Sequence, residues 1–292
     1  MQRALDELLV ILDLEELEMN LFRGQSPQEM RLRVFGGQVA AQALVAAGRT
    51  VEGRVVHSLH AYFLRPGDPR VPIVYQVDRI RDGKTFTTRR VVAIQHGEPI
   101  FILSASFQQP EDGPTHGMAM PDVPPPESLP TTEERVAGMK AELHPEVWKW
   151  ITRERPIDTR SVTDHNPFKP MAREPRQMVW IRASGTLPDT PLLHQTVVAY
   201  ASDLMLLDTA TLPHAIPWND PGYVMASLDH AMWFHRPFRA DEWLLYAQES
   251  PAAHGARGFT IGHFFTRDGT VVASVAQEGL IRPVAAKHTG KG

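Results

Sequence analysis

Asp203 stands in Thr196-Val197-Val198-Ala199-Tyr200-Ala201-Ser202-Asp203-Leu204-Met205-Leu206-Leu207, a carboxylate inside a stretch that otherwise reads as apolar helix. Aspartate is a poor helix-interior residue and is rarely buried without a partner. It lies on a solvent stripe, pairs with an arginine elsewhere, or belongs to a site. Gln277 is a second anomaly. In Val271-Val272-Ala273-Ser274-Val275-Ala276-Gln277, strand alternation puts Val271, Ala273, Val275 and Gln277 on one face. The amide is therefore an inward polar group or the start of an exposed end. Ser227, in Ala226-Ser227-Leu228-Asp229-His230, is a weaker signal because serine is common at strand starts.

Other chemistries fail on spacing. Ser227, Asp229 and His230 do not make a nucleophilic triad, since strand neighbours point to opposite faces and no G-x-S-x-G elbow is present. Neither His57-x-x-His60 nor His230-x4-His235 matches H-E-x-x-H, which argues for structural histidines rather than a metal site. There is no Walker A sequence and no G-x-G-x-x-G. The chain has 0 Cys, which removes thiolate metal sites, disulfides and a cysteine nucleophile. With 30 Lys and Arg against 34 Asp and Glu, it lacks the basic footprint of a nucleic-acid binder.

The elements that must position these residues fall into two similar sets. Leu5, Leu8, Leu9 and Leu12 make one apolar stripe on a short helix over residues 2–12. Phe35 to Ala47 is a helix of small residues, apolar nearly all round and therefore buried. Strands are expected at His57–Leu64, Ile73–Ile80, Phe86–Gln95 and Pro99–Phe107, an order that argues for α+β with an antiparallel sheet. Seven prolines between Pro110 and Pro130 then mark a connector. A helix restarts at the capping box Thr131-x-x-Glu134 and runs, with a break at Pro145, toward Trp150. Glu154 to Pro175 reads as more connection. A second apolar helix, Leu193–Leu207, precedes strands at Tyr223–Phe234 and Trp243–Glu249.

Phe63-Leu64-Arg65-Pro66 matches Phe234-His235-Arg236-Pro237 at an offset of 171, and His96-Gly97 matches Asp268-Gly269 at 172. The second half is therefore a copy of the first. Aligning Ala41-x-x-Leu44 with Ala201-x-x-Leu204 sets Ala43 opposite Asp203, and the offset of 172 sets Ala105 opposite Gln277. A carboxylate that only one copy needs points to a site rather than to packing. The resulting division is residues 1–112, a connector over 113–165, and 166–292.

Phe35-Gly36-Gly37-Gln38, His57-Ser58-x-His60-x-Tyr62-Phe63-Leu64-Arg65-Pro66-Gly67-Asp68, Asp229-His230-x-Met232-Trp233-Phe234-His235-Arg236-Pro237-Phe238 and Val275-Ala276-Gln277-Glu278-Gly279 resemble the acyl-CoA thioesterase II family, the double-hotdog thioesterases. The resemblance runs from the N-terminal helix to about Arg282. It implies two fused hotdog domains, each an antiparallel sheet wrapped around a central helix. The implied activity is hydrolysis of fatty acyl-CoA to fatty acid and CoA, with no metal or organic cofactor. The family's catalytic Asp, Ser or Thr, and Gln map onto Asp203, Ser227 and Gln277. In that reading Asp203 deprotonates a water that Ser227 and Gln277 hold, and backbone N–H groups stabilise the oxyanion. Direct attack by Asp203 through an anhydride is the less favoured route.

Arg65, Arg89, Arg90, Arg236 and Arg257 are candidates for the CoA phosphates. The rival readings are a non-catalytic acyl-CoA binder and a hotdog hydratase or dehydratase, which would want a histidine where Asp203 stands. A homodimer or larger assembly is expected. So is a cytoplasmic location without membrane insertion: Asp6 and Glu7 interrupt the first apolar stretch, and Thr289-Gly290-Lys291-Gly292 carries no S-K-L address.

Overall fold

A computed structural model describes residues 2–27, 33–142, 144–163, 170–217 and 220–284. Helix α1 (Gln2–Leu12) buries Leu5, Leu8 and Leu12 of the expected stripe. A short hairpin, β1 (Glu15–Glu18) and β2 (Leu21–Gly24), leads to α2 (Gly36–Gly48), in which every residue from Gly37 onward is buried. Strands β3 (Val55–Phe63), β4 (Ile73–Asp82), β5 (Phe86–Gln95) and β6 (Glu98–Gln108) follow. The connector carries α3 (Thr132–Val136), with the Thr131/Glu134 capping box formed, and α4 (Pro145–Thr152). Next come β7 (Ile157–Ser161), β8 (Arg176–Ala183), α5 (Pro191–Ser202) and α6 (Asp208–Thr211). The chain closes with β9 (Tyr223–Ser227), β10 (Asp229–Phe234), β11 (Leu244–His254), β12 (Arg257–Phe265) and β13 (Val271–Pro283).

The strands form one antiparallel sheet in the order β1-β2-β4-β5-β6-β3-β10-β13-β12-β11-β8-β7, with β9 paired to β13. The order on one side of the β3–β10 junction mirrors the order on the other. His60 pairs there with Ala231, its own counterpart at the offset of 171, so an approximate two-fold axis passes through that rung. The two buried helices pack antiparallel across the axis: Gly36 at the start of α2 lies against Asp203, and Gly48 at its end lies against Leu192. One apolar core joins both helices to both halves of the sheet, giving the α+β double-hotdog arrangement. Among the described residues, no helix is long and apolar enough to cross a membrane.

Three local readings change. The second helix ends at Ser202, not Leu207. The Tyr246 hydroxyl donates to the Ser202 carbonyl at 3.0 Å, so the next turn loses an acceptor. Asp203 is thus a C-cap residue rather than a helix-interior one. Second, part of the expected connection at 154–175 is β7, an edge strand whose single neighbour β8 tolerates its polar sequence; residues 164–169 of that stretch lie outside the described residues, as does the C-terminal Thr289–Gly292.

Third, the strand expected over Tyr223–Phe234 is broken at Leu228, whose N–H donates to Glu278 O at 2.9 Å. The counterpart irregularity in β3 falls between Val56 and Ser58. This one-residue bulge shifts the side-chain phase. Ser227 comes onto the inner face together with His230 and Met232, which an unbroken strand would not allow.

Candidate active site

Three elements of the second half deliver Asp203, Ser227 and Gln277 to one point. Asp203 emerges from the end of α5, Ser227 sits immediately before the bulge, and Gln277 is 1% exposed on the inner face of β13. Ser227 Oγ donates to Asp203 Oδ1 at 2.9 Å. Gln277 Nε2 donates to Asp203 Oδ1 at 3.0 Å and to Ser227 Oγ at 2.6 Å. A carboxylate only accepts, which fixes the amide with its nitrogen toward Asp203. Both Gln277 N–H bonds and the Ser227 proton are therefore committed to this triangle. Asp203 Oδ2 and a lone pair on Ser227 Oγ are left for a reactant.

The first half closes the site. A Cβ placed on Gly36 would lie 2.7 Å from Asp203 Oδ2 and 2.8 Å from Phe63 Cε1, so only glycine permits this approach. Phe35 packs edge-on against Tyr200 with ring centroids 5.1 Å apart, holding the two helix ends together. The first N–H groups of α2, at Gly36 and Gly37, have no acceptor within their own helix. They bring the positive end of the helix dipole to the Asp203 carboxylate, which otherwise sits at the unfavourable C-terminal end of α5.

Behind the triangle lies a second rank of polar groups. His230, 1% exposed, places Nδ1 3.1 Å from Gln277 Oε1 and Nε2 2.8 Å from Ser202 Oγ. Burial pushes its ionisation below the ordinary histidine value, against the opposing pull of Asp203, the Gln277 hydrogen bond and Asp229. Burial and the neighbouring Asp203 charge push the Asp208 carboxyl up to about 7. The same two causes raise the Tyr246 phenol well above its usual value.

Sequence reasoning missed His230, Ser202, Asp208, Tyr246 and Gly36 as members of this environment. His230 had a usable signal: its counterpart at the offset of 171 is Leu59, so the same comparison that exposed Asp203 applies to it. The five arginines proposed for phosphates are each engaged with protein acceptors. Arg65 meets Glu98 at 2.9 Å, Arg90 meets Asp78 at 2.6 Å and Arg257 meets Glu278 at 2.8 Å. Arg89 is 1% exposed between Asp82 and Thr50, and Arg236 donates to Val271 O and His116 O. None is brought to the triangle by these contacts. Among the described residues, no group of three His, Cys, Asp or Glu is placed to hold a metal ion.

Comparison with known proteins is consistent along the chain. A family described as "Acyl-CoA thioesterase" matches residues 149–280, and its "Acyl-CoA thioesterase N-terminal domain" matches residues 25–108. The chain is 45% identical to human acyl-coenzyme A thioesterase 8 over 282 residues, covering 93% of this chain and 88% of that one. It is 41% identical to acyl-CoA thioesterase 2 of Haemophilus influenzae, covering 97% and 99%. The crystal structure of an acyl-CoA thioesterase II, TesB2, from Mycobacterium marinum superposes with a TM-score of 0.77 at 45% identity, over 96% of this chain and 98% of that one. A hot dog fold protein from Alicyclobacillus acidocaldarius, 20% identical, superposes at 0.75 and supports the fold alone.

Proposed function

Because the chain belongs to the acyl-CoA thioesterase family and is a thioester hydrolase acting on acyl-CoA, we propose that its substrates are fatty acyl-CoAs and that Asp203 is the general base. The observation carrying this reading is the convergence of Ser227 Oγ and Gln277 Nε2 on one oxygen of Asp203, at 2.9 and 3.0 Å, with the other oxygen facing Gly36.

In this mechanism a water sits between Asp203 Oδ2 and the Ser227 oxygen. Gln277, with both N–H bonds committed, holds the Asp203–Ser227 pair in place. The water oxygen attacks the thioester carbonyl as its proton passes to Asp203. The developing oxyanion falls at the start of α2, where the Gly36 and Gly37 N–H groups donate to it and the helix dipole stabilises it. Collapse breaks the C–S bond, and the proton on Asp203 goes to the departing thiolate. Each half therefore contributes: the second supplies the base, the first supplies the oxyanion site.

A cytoplasmic homodimer or larger assembly completes the proposal. Tyr62 and Trp233 are 58% and 36% exposed on the two central strands, and a second copy would cover them.

Thiol release from a series of acyl-CoAs, wild type beside Asp203→Asn, tests the reading. A loss of about 100-fold or more in kcat is expected, since the variant keeps the shape but not the base. Equal release by both proteins would remove Asp203 from the centre of the reaction. Release confined to short, non-fatty acyl groups would overturn the substrate proposal.

A further inference from the structure

We infer that His230 is a positioning residue for the hydrolysis, holding the Gln277 amide in the one orientation that directs both of its N–H bonds at Asp203 and Ser227. This rests on the reading of Asp203 as base.

A primary amide is nearly symmetric in shape, so packing alone selects poorly between its two orientations. The reversed amide would set Oε1 against the Asp203 carboxylate and leave Ser227 Oγ without its donor. Here the Asp203 carboxylate sets the choice from the front, and the ring holds it from behind. Gln277 Oε1 can only accept, so the His230 Nδ1 at 3.1 Å carries the proton of that contact.

Two proton arrangements then satisfy the rest of the chain. With a neutral ring, Ser202 Oγ–H donates to Nε2 across 2.8 Å. With a charged ring, Nε2–H donates to Ser202 Oγ, whose proton turns to Ala199 O at 2.9 Å. In both, Nδ1–H stays on Gln277. Burial favours the neutral form. The groups facing the ring are Asp203 and Ser202 from α5, Gln277 from β13 and Asp229 on its own strand, with Ala61 across the β3 ladder. Tyr246 on β11 holds the Ser202 carbonyl.

The duplication supplies an independent argument. Leu59 pairs with Ala105 in the β3–β6 ladder. At the equivalent place in the second half, just past the last β10–β13 rung at Ala231–Ala276, the His230 side chain meets that of Gln277. The half without the carboxylate has neither the amide nor the ring. A histidine serving only the fold would have no reason to be lost together with a glutamine that serves the site.

The test compares His230→Leu, which installs the first half's residue, with His230→Asn, whose amide nitrogen falls near the position of Nδ1. Asp203→Asn is measured in parallel. His230→Leu is expected to lower kcat by about 10- to 100-fold with KM changed less than about 3-fold, because the Asp203–Ser227 pair loses its alignment while substrate binding does not involve the ring. His230→Asn should recover most of that loss. Ring 1H–15N spectra of wild type should show the Nδ1–H tautomer at neutral pH.

Wild-type kcat in His230→Leu, equal impairment of the Leu and Asn variants, or an Nε2–H neutral ring would each overturn the inference. If His230→Leu fails to fold, the Asn variant and the spectrum decide. Should Asp203→Asn remain fully active, the base reading fails separately, while the split between Leu and Asn still decides whether the ring orients Gln277.

Discussion

Tyr75 and Tyr246 occupy equivalent places 171 residues apart, yet each phenol meets a different kind of helix. In the first half, Tyr75 donates to Gln42 Oε1 at 2.7 Å, and Gln42 Nε2 in turn holds Ile11 O and Gln25 O. The amide there serves as a pin between α1, the end of β2 and α2, and the helix runs on to Gly48. In the second half, Tyr246 takes a backbone carbonyl, and α5 stops at Ser202. Asp203 is freed into the space that Ala43 fills with a methyl group. Ser227, His230 and Gln277 stand where the first half has Val56, Leu59 and Ala105. One frame thus carries apolar side chains at these positions in one half and a hydrogen-bonded polar cluster around a carboxylate in the other. The difference lies in a few side chains and one interrupted helix, not in topology.

Making the second half resemble the first should have the largest effect. Asp203→Ala is expected to reduce kcat by about 1000-fold, and adding Gln277→Ala should cost little more, because residues acting as one unit are not additive. Thiol release by the single and double variants checks this. A further full loss from the second change would mean that Gln277 does something beyond holding Asp203.

Gly36→Ala breaks the contact between halves instead. Its Cβ would press on Asp203 Oδ2 at 2.7 Å and on Phe63 at 2.8 Å, while the α2 backbone itself favours alanine. Activity should fall by roughly 10- to 100-fold with Tm changed by only a few degrees, since the strain falls on the site and helix propensity partly offsets it. Wild-type turnover would remove the start of α2 from the reaction.

Much of this comparison could be read without coordinates, and the limits have physical causes. The leucine stripe of α1 and the span Phe86–Gln95 are local patterns, and local patterns survive folding. Asp203 and Gln277 stood out because the duplicated sequence carries its own control. The end of α5 was illegible because it is set by Tyr246, far along the chain and visible only in space. Ser227 was ambiguous because its facing depends on a bulge at Leu228 that sequence alternation does not show. His230, weighed only as one of a pair with His235, reads as a structural histidine in the sequence, because its partner is an amide across the sheet. β7 escaped notice as a short polar edge strand. Gly36 gave no sign of its role, since a glycine in a small-residue helix is explained by packing until the carboxylate from the other half is in view.

The last expected effect comes from α6, which has no counterpart in the first half. Its Asp208 is held up to about 7, against an ordinary 3.8, by burial and by the Asp203 charge. A carboxyl whose folded value lies above its unfolded one binds more protons in the folded state throughout that window. Stability from this group is therefore fully present below pH 3.8 and is lost as pH rises toward 7. Asp208→Asn removes the slope.

The variant should match wild type in acid and exceed it by about 4 kcal/mol, several degrees in Tm, at pH 8. Thermal melts of both proteins between pH 4 and 8.5 measure the difference directly. A constant offset across that range would show that the carboxyl stays charged in the fold. The contrast between halves would then lie in Asp203 and its partners alone, with α6 a spacer that lets the chain return to β9.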